Sequence, residues 1–245
     1  MHTTFNITKI QTENYRTKTL HFDQALSDAH PGQYVMAWLP GVGEKPFSIA
    51  GREPLTLMVV AVGPFSEALH HLNVGDRVWV RGPLGQGYTV HGHHLLLVGG
   101  GYGVAPLWFL AREALAAGCT VDVCLGARTA RDVLLAETFT QAQLSPRITT
   151  EDGTLGTQGL VTQAVTAAIA TRRPDCVYAC GPLPMLTTLA RQCRTHTLPH
   201  QLSWEAHIRC GMGICGACEL DTKTRQATNV PAGWLVCKDG PVWKS

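Results

Sequence analysis

Four cysteines near the carboxyl end of the sequence have the residue type and the spacing of a metal site. Cys210, Cys215 and Cys218 follow the pattern C-x4-C-x2-C, and Cys237 is the next cysteine along the chain. Plant-type [2Fe–2S] sites use this spacing, with the fourth thiolate coming from further along the chain. Glycines between the ligands let a loop wrap closely around a cluster and turn its amides toward the sulfurs. The pattern therefore predicts a [2Fe–2S] cluster and one-electron chemistry.

Two other uses of these cysteines stay open beside the cluster. The cysteines could be free buried thiols. They could also form a structural zinc site, and the chain would then be a zinc-stapled, non-enzymatic binding module. Zinc sites favour paired short knuckles, whereas only Cys215 and Cys218 have the C-x2-C form here. Four further cysteines fall inside or beside predicted helices and strands and are expected to be small buried hydrophobes: Cys119, Cys124, Cys176 and Cys193.

A second site is predicted where glycines follow an apolar strand. The predicted strand Leu95–Val98 leads through a glycine turn into the predicted helix Val104–Ala117, and the turn contains Gly99, Gly100, Gly101 and Gly103. Such a turn presents backbone amides and a helix N-terminus to a pyrophosphate, although it also occurs as plain close packing. Another predicted strand ends in Cys180, Gly181 and Pro182 at the same carboxyl edge of the sheet, where ligands bind. These loops together predict a site for a nicotinamide nucleotide.

The two predicted sites need a converter between them. A nicotinamide nucleotide delivers hydride, which carries two electrons, whereas a [2Fe–2S] cluster accepts one. Flavin holds one or two electrons and is the usual converter, and the amino-terminal region is the place to look for its site. That region contains Lys45–Ser48, Gly63–Ser66 and Arg81–Gly87, each of which reads as a turn from its residues alone.

The predicted elements divide the chain into three regions. Residues 1–92 alternate short β-prone runs with turn signals, which is typical of a small antiparallel barrel or sandwich. Residues 93–196 alternate apolar strands with helices, including one predicted near Ala130–Gln143, and this rhythm indicates a parallel sheet covered on both faces. Residues 197–245 have too little apolar content for an independent core. The predicted fold class is thus all-β plus α/β: a barrel, a nucleotide-binding α/β domain and a small cluster domain.

Composition and charge exclude several other functions. The 245 residues carry a net charge of +2 and contain no run of five like charges, so no nucleic-acid partner is predicted. Met1–Leu20 lacks the apolar core of a signal peptide, and the uncharged stretch Leu95–Ala111 is short and interrupted by glycine. We therefore expect no membrane association. Nine cysteines without an export signal favour metal or redox chemistry in the cytoplasm over disulfides.

The whole pattern resembles the electron-transfer subunits of class 1B dihydroorotate dehydrogenases, a branch of the ferredoxin–NADP reductase superfamily. The similar segments run from Pro31–Met36 through Gly82–Gly85 to Val236–Val242, and the most specific are Glu151–Gly156 and Ser203–Cys218. The resemblance implies an oxidoreductase subunit that relays electrons between NAD and a partner subunit in pyrimidine biosynthesis. That partner would hold FMN, oxidise dihydroorotate to orotate and form a heterotetramer with two copies of each chain. Related reductase subunits serve sulfite reductases, hydrogenases and other flavoproteins, so a different partner stays open.

The resemblance also implies a set of FAD-binding residues in the first region. Lys45, Pro46, Phe47 and Ser48 match a family Arg-Pro-x-Ser motif, in which the basic residue faces the diphosphate and the serine faces the isoalloxazine. Phe65 and Ser66 stand where the family has a Gly-Thr pair at the FAD phosphates. Backbone along the flavin is expected from Met58, Val59 and Val60.

In the second region the resemblance assigns the nucleotide-contacting turn to Gly126–Arg128. Arg128 and Arg131 could meet a 2′-phosphate, so NADP stays open beside the NAD that the family implies. No catalytic acid or base is predicted, because a subunit that only moves electrons needs none. Three apolar residues near the cluster could form either a partner surface or a small core: Met212, Ile214 and Trp234.

Overall fold

Six antiparallel strands in the first third of the chain close into a barrel. The computed structural model describes residues 1–245, and the barrel strands are β1 (Thr3–Asn14), β2 (Thr17–Phe22), β3 (Tyr34–Leu39), β4 (Gly43–Arg52), β5 (Leu55–Val60) and β6 (Arg77–Leu84). Their order around the barrel is β1-β2-β5-β4-β3-β6. Alternate side chains of each strand point inward and bury an apolar core, and the short helix α1 (Pro64–His70) adds Phe65 and Leu69 to it.

A seven-stranded sheet follows the barrel, in the order β10-β9-β8-β7-β11-β12-β13. Its strands are β7 (His94–Gly100), β8 (Thr120–Ala127), β9 (Arg147–Thr150), β10 (Thr157–Gln158), β11 (Cys176–Cys180), β12 (His200–Ser203) and β13 (Val242–Lys244). All neighbours pair in parallel except β12 and β13, which are antiparallel. The carboxyl ends of β7, β8, β9 and β11 therefore meet at one edge of the sheet.

Helices cover both faces of this sheet, which explains why β7 is buried along its whole length. The helices are α2 (Val104–Ala116), α3 (Ala136–Gln141), α4 (Val161–Thr171) and α5 (Leu183–Thr195). Leu96 and Val98 pack on the face that α4 and α5 cover, whereas Leu95 and Leu97 pack on the face that α2 and α3 cover. The predicted fold class, an antiparallel barrel with an α/β domain and a cluster segment, is confirmed.

Two details of the structure differ from the pattern expected from the sequence. The helix predicted near Ala130–Gln143 is instead a single 3-10 turn at Ala130–Asp132 and the short helix α3, because the chain is extended at Val133 and left-handed at Leu135. The sheet also extends beyond residue 196, the predicted end of the nucleotide domain. Strands β12 and β13 both come from the segment 197–245, because a parallel strand must complete the crossover that α5 begins.

The cluster segment between β12 and β13 shares the core of the α/β domain. It contains helix α6 (Thr222–Thr228), whose first turn is capped by the Asp221 carboxylate as it accepts a 2.9 Å hydrogen bond from the Thr224 amide. Trp234 and Val236 lie in the same apolar core as Leu186 of α5. None of the helices combines the length and the apolar character needed to cross a membrane.

Candidate functional site

The two glycine loops predicted to bind a nucleotide lie against each other at the carboxyl edge of the sheet. Cys180 is in register with Gly99, so the ends of β11 and β7 are neighbours. A Cβ atom on Gly103 would collide with the carbonyl oxygen of Cys180, and a Cβ atom on Gly181 would lie 3.0 Å from the backbone nitrogen of Gly100. The loops can approach this closely only because both consist of glycine at the contact points.

A cavity of about 490 Å³ opens in front of these loops, a volume typical of small-molecule sites. Of the residues predicted for the nucleotide, Gly100, Gly101, Arg128 and Pro182 line it. The others, Gly99, Gly103, Cys180 and Gly181, do not; Gly99 and Gly181 are buried behind the wall. Helix α2 begins directly after this turn, so its amino end lies beside the cavity. We call this space the nucleotide cavity.

Charged residues that the sequence analysis missed also line the nucleotide cavity: Arg16, Asp132 and Glu151. Arg16 comes from the turn between β1 and β2 of the barrel, and no local sequence signal connects it to a nucleotide site. Its guanidinium donates a 3.1 Å hydrogen bond to the Asp132 carboxylate, which also accepts one of 2.9 Å from the Tyr15 hydroxyl. The barrel therefore supplies part of the wall of this cavity.

The carboxylate of Asp132 accepts the hydrogen bonds that join the barrel to the wall of the nucleotide cavity. Burial raises its pKa, but hydrogen bonds from Tyr15 and Thr129 and the charge of Arg16 outweigh burial and leave the pKa below the ordinary value. A lowered pKa means that the network stabilises the fold above about pH 4 and is lost as the pH falls through the pKa of the folded state. The network is thus fully formed at neutral pH.

We expect Asp132→Ala to weaken NADH binding about fivefold, because the wall of the nucleotide cavity loses a network worth about 1 kcal/mol. Titration of the purified protein with NADH measures the dissociation constant. The loss should be constant from neutral pH down to about pH 4. Asp23→Ala is the matched control, since Asp23 accepts a similar 2.9 Å hydrogen bond from the Asn6 amide in the barrel, outside both cavities. Equal effects of the two variants would contradict a specific role for Asp132.

A second cavity, of about 280 Å³, lies between the barrel and the α/β domain and is mostly apolar. The residues predicted for FAD that line it are Pro46, Phe47, Ser48, Met58 and Val60. Tyr34, Trp204 and Glu205 line the same cavity and were not predicted. Flat rings with a few placed polar groups around them suit this apolar slot, so the residues present fit a flavin ring. We call this space the flavin cavity.

Four residues predicted for FAD lie outside the flavin cavity. Val59 points into the barrel core, because side chains alternate along β5 between its two faces. Phe65 is buried in the barrel with its ring 6.0 Å from that of Phe47. Ser66 bonds within its own turn, since its hydroxyl accepts hydrogen bonds from the amides of Val62 and Gly63 and donates one to the Gly63 carbonyl. Lys45 is exposed on β4.

Tyr102 lines both the nucleotide cavity and the flavin cavity, so the two spaces adjoin at this residue. Its hydroxyl donates a 3.2 Å hydrogen bond to the carboxylate of Glu205. Partial burial raises the pKa of Glu205, and burial raises the pKa of the Cys180 thiol to about 12. Cys180 therefore presents a neutral thiol to the flavin cavity. Its position inside the predicted glycine loop is the one feature of the sequence that could have assigned Tyr102 to the site.

The four predicted cluster cysteines come together in two pairs. Cys215 affects the pKa of Cys210 and Cys218 affects the pKa of Cys237, so the members of each pair are close in space, and the Cys237 amide donates a 3.4 Å hydrogen bond to the Cys218 sulfur. Backbone amides point at the sulfurs: Gly213 donates to Cys237 at 3.2 Å. Hydrogen bonds from the amides of Met212, Cys215 and Ile214 lower the pKa of Cys210 to about 6, whereas burial raises that of Cys237.

This donor set fits a [2Fe–2S] cluster. A two-iron cluster takes its ligands two to each iron, and the four thiols are arranged as two pairs. Amides aimed at the sulfurs offset the negative charge of thiolate ligands. The pairs differ in exposure, because Cys218 and Cys237 are buried while Cys215 is exposed. Of the three nearby apolar residues, Trp234 is buried and the exposed fractions of Met212 and Ile214 are 54% and 77%.

Arg81 of the barrel attaches the cluster loop from one side. Its guanidinium donates to the Cys210 carbonyl at 2.7 Å and makes a two-point ion pair with Glu44, at 2.7 and 2.9 Å. A Cβ atom on Gly211 would lie 3.3 Å from the same guanidinium. The cluster loop is therefore seated on β6 of the barrel without room for a larger residue at position 211.

Two family descriptions match parts of the chain. "Iron-sulfur cluster binding domain of dihydroorotate dehydrogenase B" matches residues 205–245, which include all four cluster cysteines. "Oxidoreductase NAD-binding domain" matches residues 97–191, which include the glycine loops of the nucleotide cavity. The two matched segments therefore correspond to the cluster cysteines and to the nucleotide cavity.

Curated relatives align with nearly the whole chain. The probable dihydroorotate dehydrogenase B (NAD(+)) electron transfer subunit of Thermococcus kodakarensis is 38% identical, and the alignment covers 93% of this chain and 89% of the relative. A relative with the same description from Methanocaldococcus jannaschii is 35% identical, with 97% and 87% covered. Both alignments therefore span the barrel, the sheet and the cluster segment together.

Solved structures share the architecture. The structure of an NADH-dependent reduced ferredoxin–NADP oxidoreductase, studied for flavin-based electron bifurcation, superposes with a TM-score of 0.85 at 27% identity and covers 98% of this chain and 87% of its own. The ferredoxin reductase in carbazole 1,9a-dioxygenase shares the fold, with a TM-score of 0.68, 20% identity and coverages of 81% and 66%. From the length and identity of the curated alignments, the chain belongs to the family of electron transfer subunits of dihydroorotate dehydrogenase B.

Proposed function

We propose that this chain relays electrons between NAD and an FMN-containing dihydroorotate dehydrogenase subunit, through FAD and a [2Fe–2S] cluster, in pyrimidine biosynthesis. One observation carries the proposal: the three sites form a continuous series. Tyr102 lines both the nucleotide cavity and the flavin cavity, and Tyr34 lines the flavin cavity while donating a hydrogen bond to the carbonyl of Cys237. When bound, FAD would take up hydride and release electrons singly, and the cluster would carry them one at a time.

The residues of the chain bind and orient these groups. The amino end of α2 and the amides at Gly100 and Gly101 suit the pyrophosphate of NAD. Because the cavities adjoin at Tyr102, this residue would hold the nicotinamide end of the nucleotide beside the flavin site. Ser48 and Glu205 supply polar groups to an otherwise apolar slot that limits the access of water. No residue of the chain has to form a bond to a substrate in this scheme.

For FAD, we propose that Pro46, Phe47 and Ser48 contact the isoalloxazine. Lys45 is the candidate for the diphosphate, because it is exposed and makes no ion pair with another residue of the chain. Val59 contributes backbone alone, and Phe65 and Ser66 shape the turn at the start of α1. We propose three domains, residues 1–92 for the barrel, 93–196 for the nucleotide-binding domain and 197–245 for the cluster domain, the last of which adds two strands to the sheet.

The nucleotide cavity favours NAD over NADP. Arg131 does not line it, and its guanidinium lies 4.8 Å from the centre of the Tyr15 ring. Arg16 is paired with Asp132, and the carboxylate of Glu151 adds negative charge to the wall. Arg128 is therefore the one cation in the wall of the cavity that has no carboxylate partner and that a 2′-phosphate would contact. The curated relatives carry NAD(+) in their descriptions.

We propose that the partner docks over the exposed side of the cluster loop. Cys215, Met212 and Ile214 are exposed there, and a heterotetramer with two copies of each chain is the assembly expected from the family. The nine cysteines are all unpaired, which is the state of thiols in the cytoplasm, so we propose that compartment.

Co-expression with a candidate FMN subunit and anaerobic purification test the proposed function. We expect the chain alone to show flavin and cluster absorption that NADH bleaches, and the complex to reduce NAD with dihydroorotate. Reduction of NAD by dihydroorotate without the partner would contradict the assignment of the substrate site. Isolation with a haem or nickel partner would replace dihydroorotate dehydrogenase by a sulfite reductase- or hydrogenase-type partner. A colourless protein with stoichiometric zinc would refute the relay itself.

A further inference from the structure

Tyr34 connects the flavin cavity with a ligand of the cluster. It is the first residue of β3, is only 3% exposed and lines the flavin cavity. Its hydroxyl donates a 2.8 Å hydrogen bond to the carbonyl of Cys237 and lies 3.4 Å from the carbonyl of Gly211. Both carbonyls belong to the loops that hold the cluster. One side chain thus contacts both redox sites.

The ring of Tyr34 has little freedom to move. A Cβ atom on Gly85 would lie 3.0 Å from its Cε1 atom, so the turn after β6 closes over the ring. On its other side, Tyr34 belongs to the apolar core that contains Cys218, Cys237 and Trp204. Close packing of this kind holds the hydroxyl in one position, and with it the peptide of Cys237.

A second barrel residue, Arg81, also bonds to the cluster loop, and it differs from Tyr34 in two respects. Arg81 donates to the carbonyl of Cys210, which belongs to the more exposed pair of cysteines, and it does not line the flavin cavity. Tyr34 reaches the buried pair, Cys218 and Cys237, and does line that cavity. Arg81 therefore only anchors the cluster loop to the barrel, whereas Tyr34 also connects that loop with the flavin cavity.

We propose that Tyr34 is a positioning residue that sets the buried pair of cysteines against the flavin, so that electrons pass between flavin and cluster at Cys218 and Cys237. They pass between cluster and partner at the exposed pair, Cys210 and Cys215. When bound, the flavin would take two electrons from NADH as hydride and give them up singly to the cluster, which the partner would reoxidise between the two transfers. This inference rests on the relay proposed above.

Tyr34→Phe in the FAD- and cluster-loaded full chain tests the proposal, because it removes only the hydroxyl. In anaerobic stopped-flow mixing with NADH, we expect cluster bleaching to lag behind flavin bleaching by a longer interval than in the wild type. In the absence of NADH, we expect release of iron to a chelator to be about fivefold faster, the effect of losing one hydrogen bond that closes the loop. Tyr88→Phe is the matched control, because Tyr88 is buried and donates a 2.9 Å hydrogen bond to the Ala179 carbonyl away from the cluster.

The variant Arg81→Gln tests whether the loss of an anchoring hydrogen bond, at a residue that does not line the flavin cavity, delays reduction of the cluster. We expect this variant to release iron faster while its cluster bleaches with the wild-type lag, because Arg81 contacts only the exposed pair. The proposal is overturned if Tyr34→Phe does not lengthen the lag, or if Tyr88→Phe or Arg81→Gln lengthens it equally. Failure of the relay itself would be distinguishable, because wild-type protein would then lack the cluster or show no bleaching by NADH.

Discussion

Cys218→Ser is expected to leave a flavoprotein that NADH still bleaches but that holds no intact cluster. Cys218 is 2% exposed, its sulfur accepts a 3.4 Å hydrogen bond from the Cys237 amide, and it lies in the core shared with Trp234 and Val236. A serine hydroxyl is a poor ligand for a cluster that thiolates hold. Loss of a neighbouring hydrogen bond alone costs metal affinity 10–100-fold, roughly, and loss of a ligand should cost more.

Iron analysis and visible spectroscopy measure this outcome. We expect iron to fall from about two atoms per chain to near zero, and activity with the partner to fall with it. The cluster segment should also loosen, because binding of a metal centre contributes to folding of the segment that holds it. Accordingly, limited proteolysis should cut the variant between β12 and β13 while sparing the barrel.

Cys193→Ser is the matched control for this variant. Cys193 is fully buried on α5 and lies outside the cluster loop, so it shares the cost of burying a hydroxyl, about 1–3 kcal/mol, without touching the cluster. Full cluster content in Cys218→Ser, or equal iron loss in both variants, would show that Cys218 is not a ligand.

The second large effect is expected for Gly103→Ala, which should abolish efficient reduction of the flavin by NADH. The added Cβ atom would collide with the backbone carbonyl of Cys180, and this contact can be relieved only by moving β11 or the glycine turn. Overpacking of this kind costs about 1–3 kcal/mol. The turn lines the nucleotide cavity and Gly103 itself lines the flavin cavity, so both sites are distorted together.

NADH titration and anaerobic stopped-flow mixing measure the result. We expect the dissociation constant for NADH to rise about tenfold or more, which corresponds to about 1.4 kcal/mol. Chemical reduction of the cluster should remain possible, because the cluster loop is seated on the barrel through Arg81. Gly51→Ala is the control, since its Cβ atom would meet Thr56 at an ordinary 3.4 Å. Unchanged NADH binding in Gly103→Ala would mean that the two loops are not held by close glycine packing.

Sequence motifs predict well where the chemistry is local. The C-x4-C-x2-C loop places three cysteines within nine residues, so spacing alone predicts the cluster, and the structure adds that Cys215 lies near Cys210 and Cys218 near Cys237. A four-residue motif on a strand is less informative. Neighbouring side chains on a strand point to opposite faces, and only the packing of the barrel shows that Ser48 lines the cavity while Lys45 is exposed.

Short stretches of the sequence are enough to predict the order of barrel, α/β sheet and cluster segment, because alternating apolar patterns and glycine turns are local properties. Sequence analysis missed β12, because three of its four residues, His200–Ser203, are polar although all four are buried in the sheet. The way in which the three sites are joined depends on contacts between residues that are far apart in the sequence. Tyr34 and Cys237 are 203 positions apart, and Arg16 and Asp132 are 116 apart. Such contacts arise when separately patterned regions pack together, so no local spacing can reveal them.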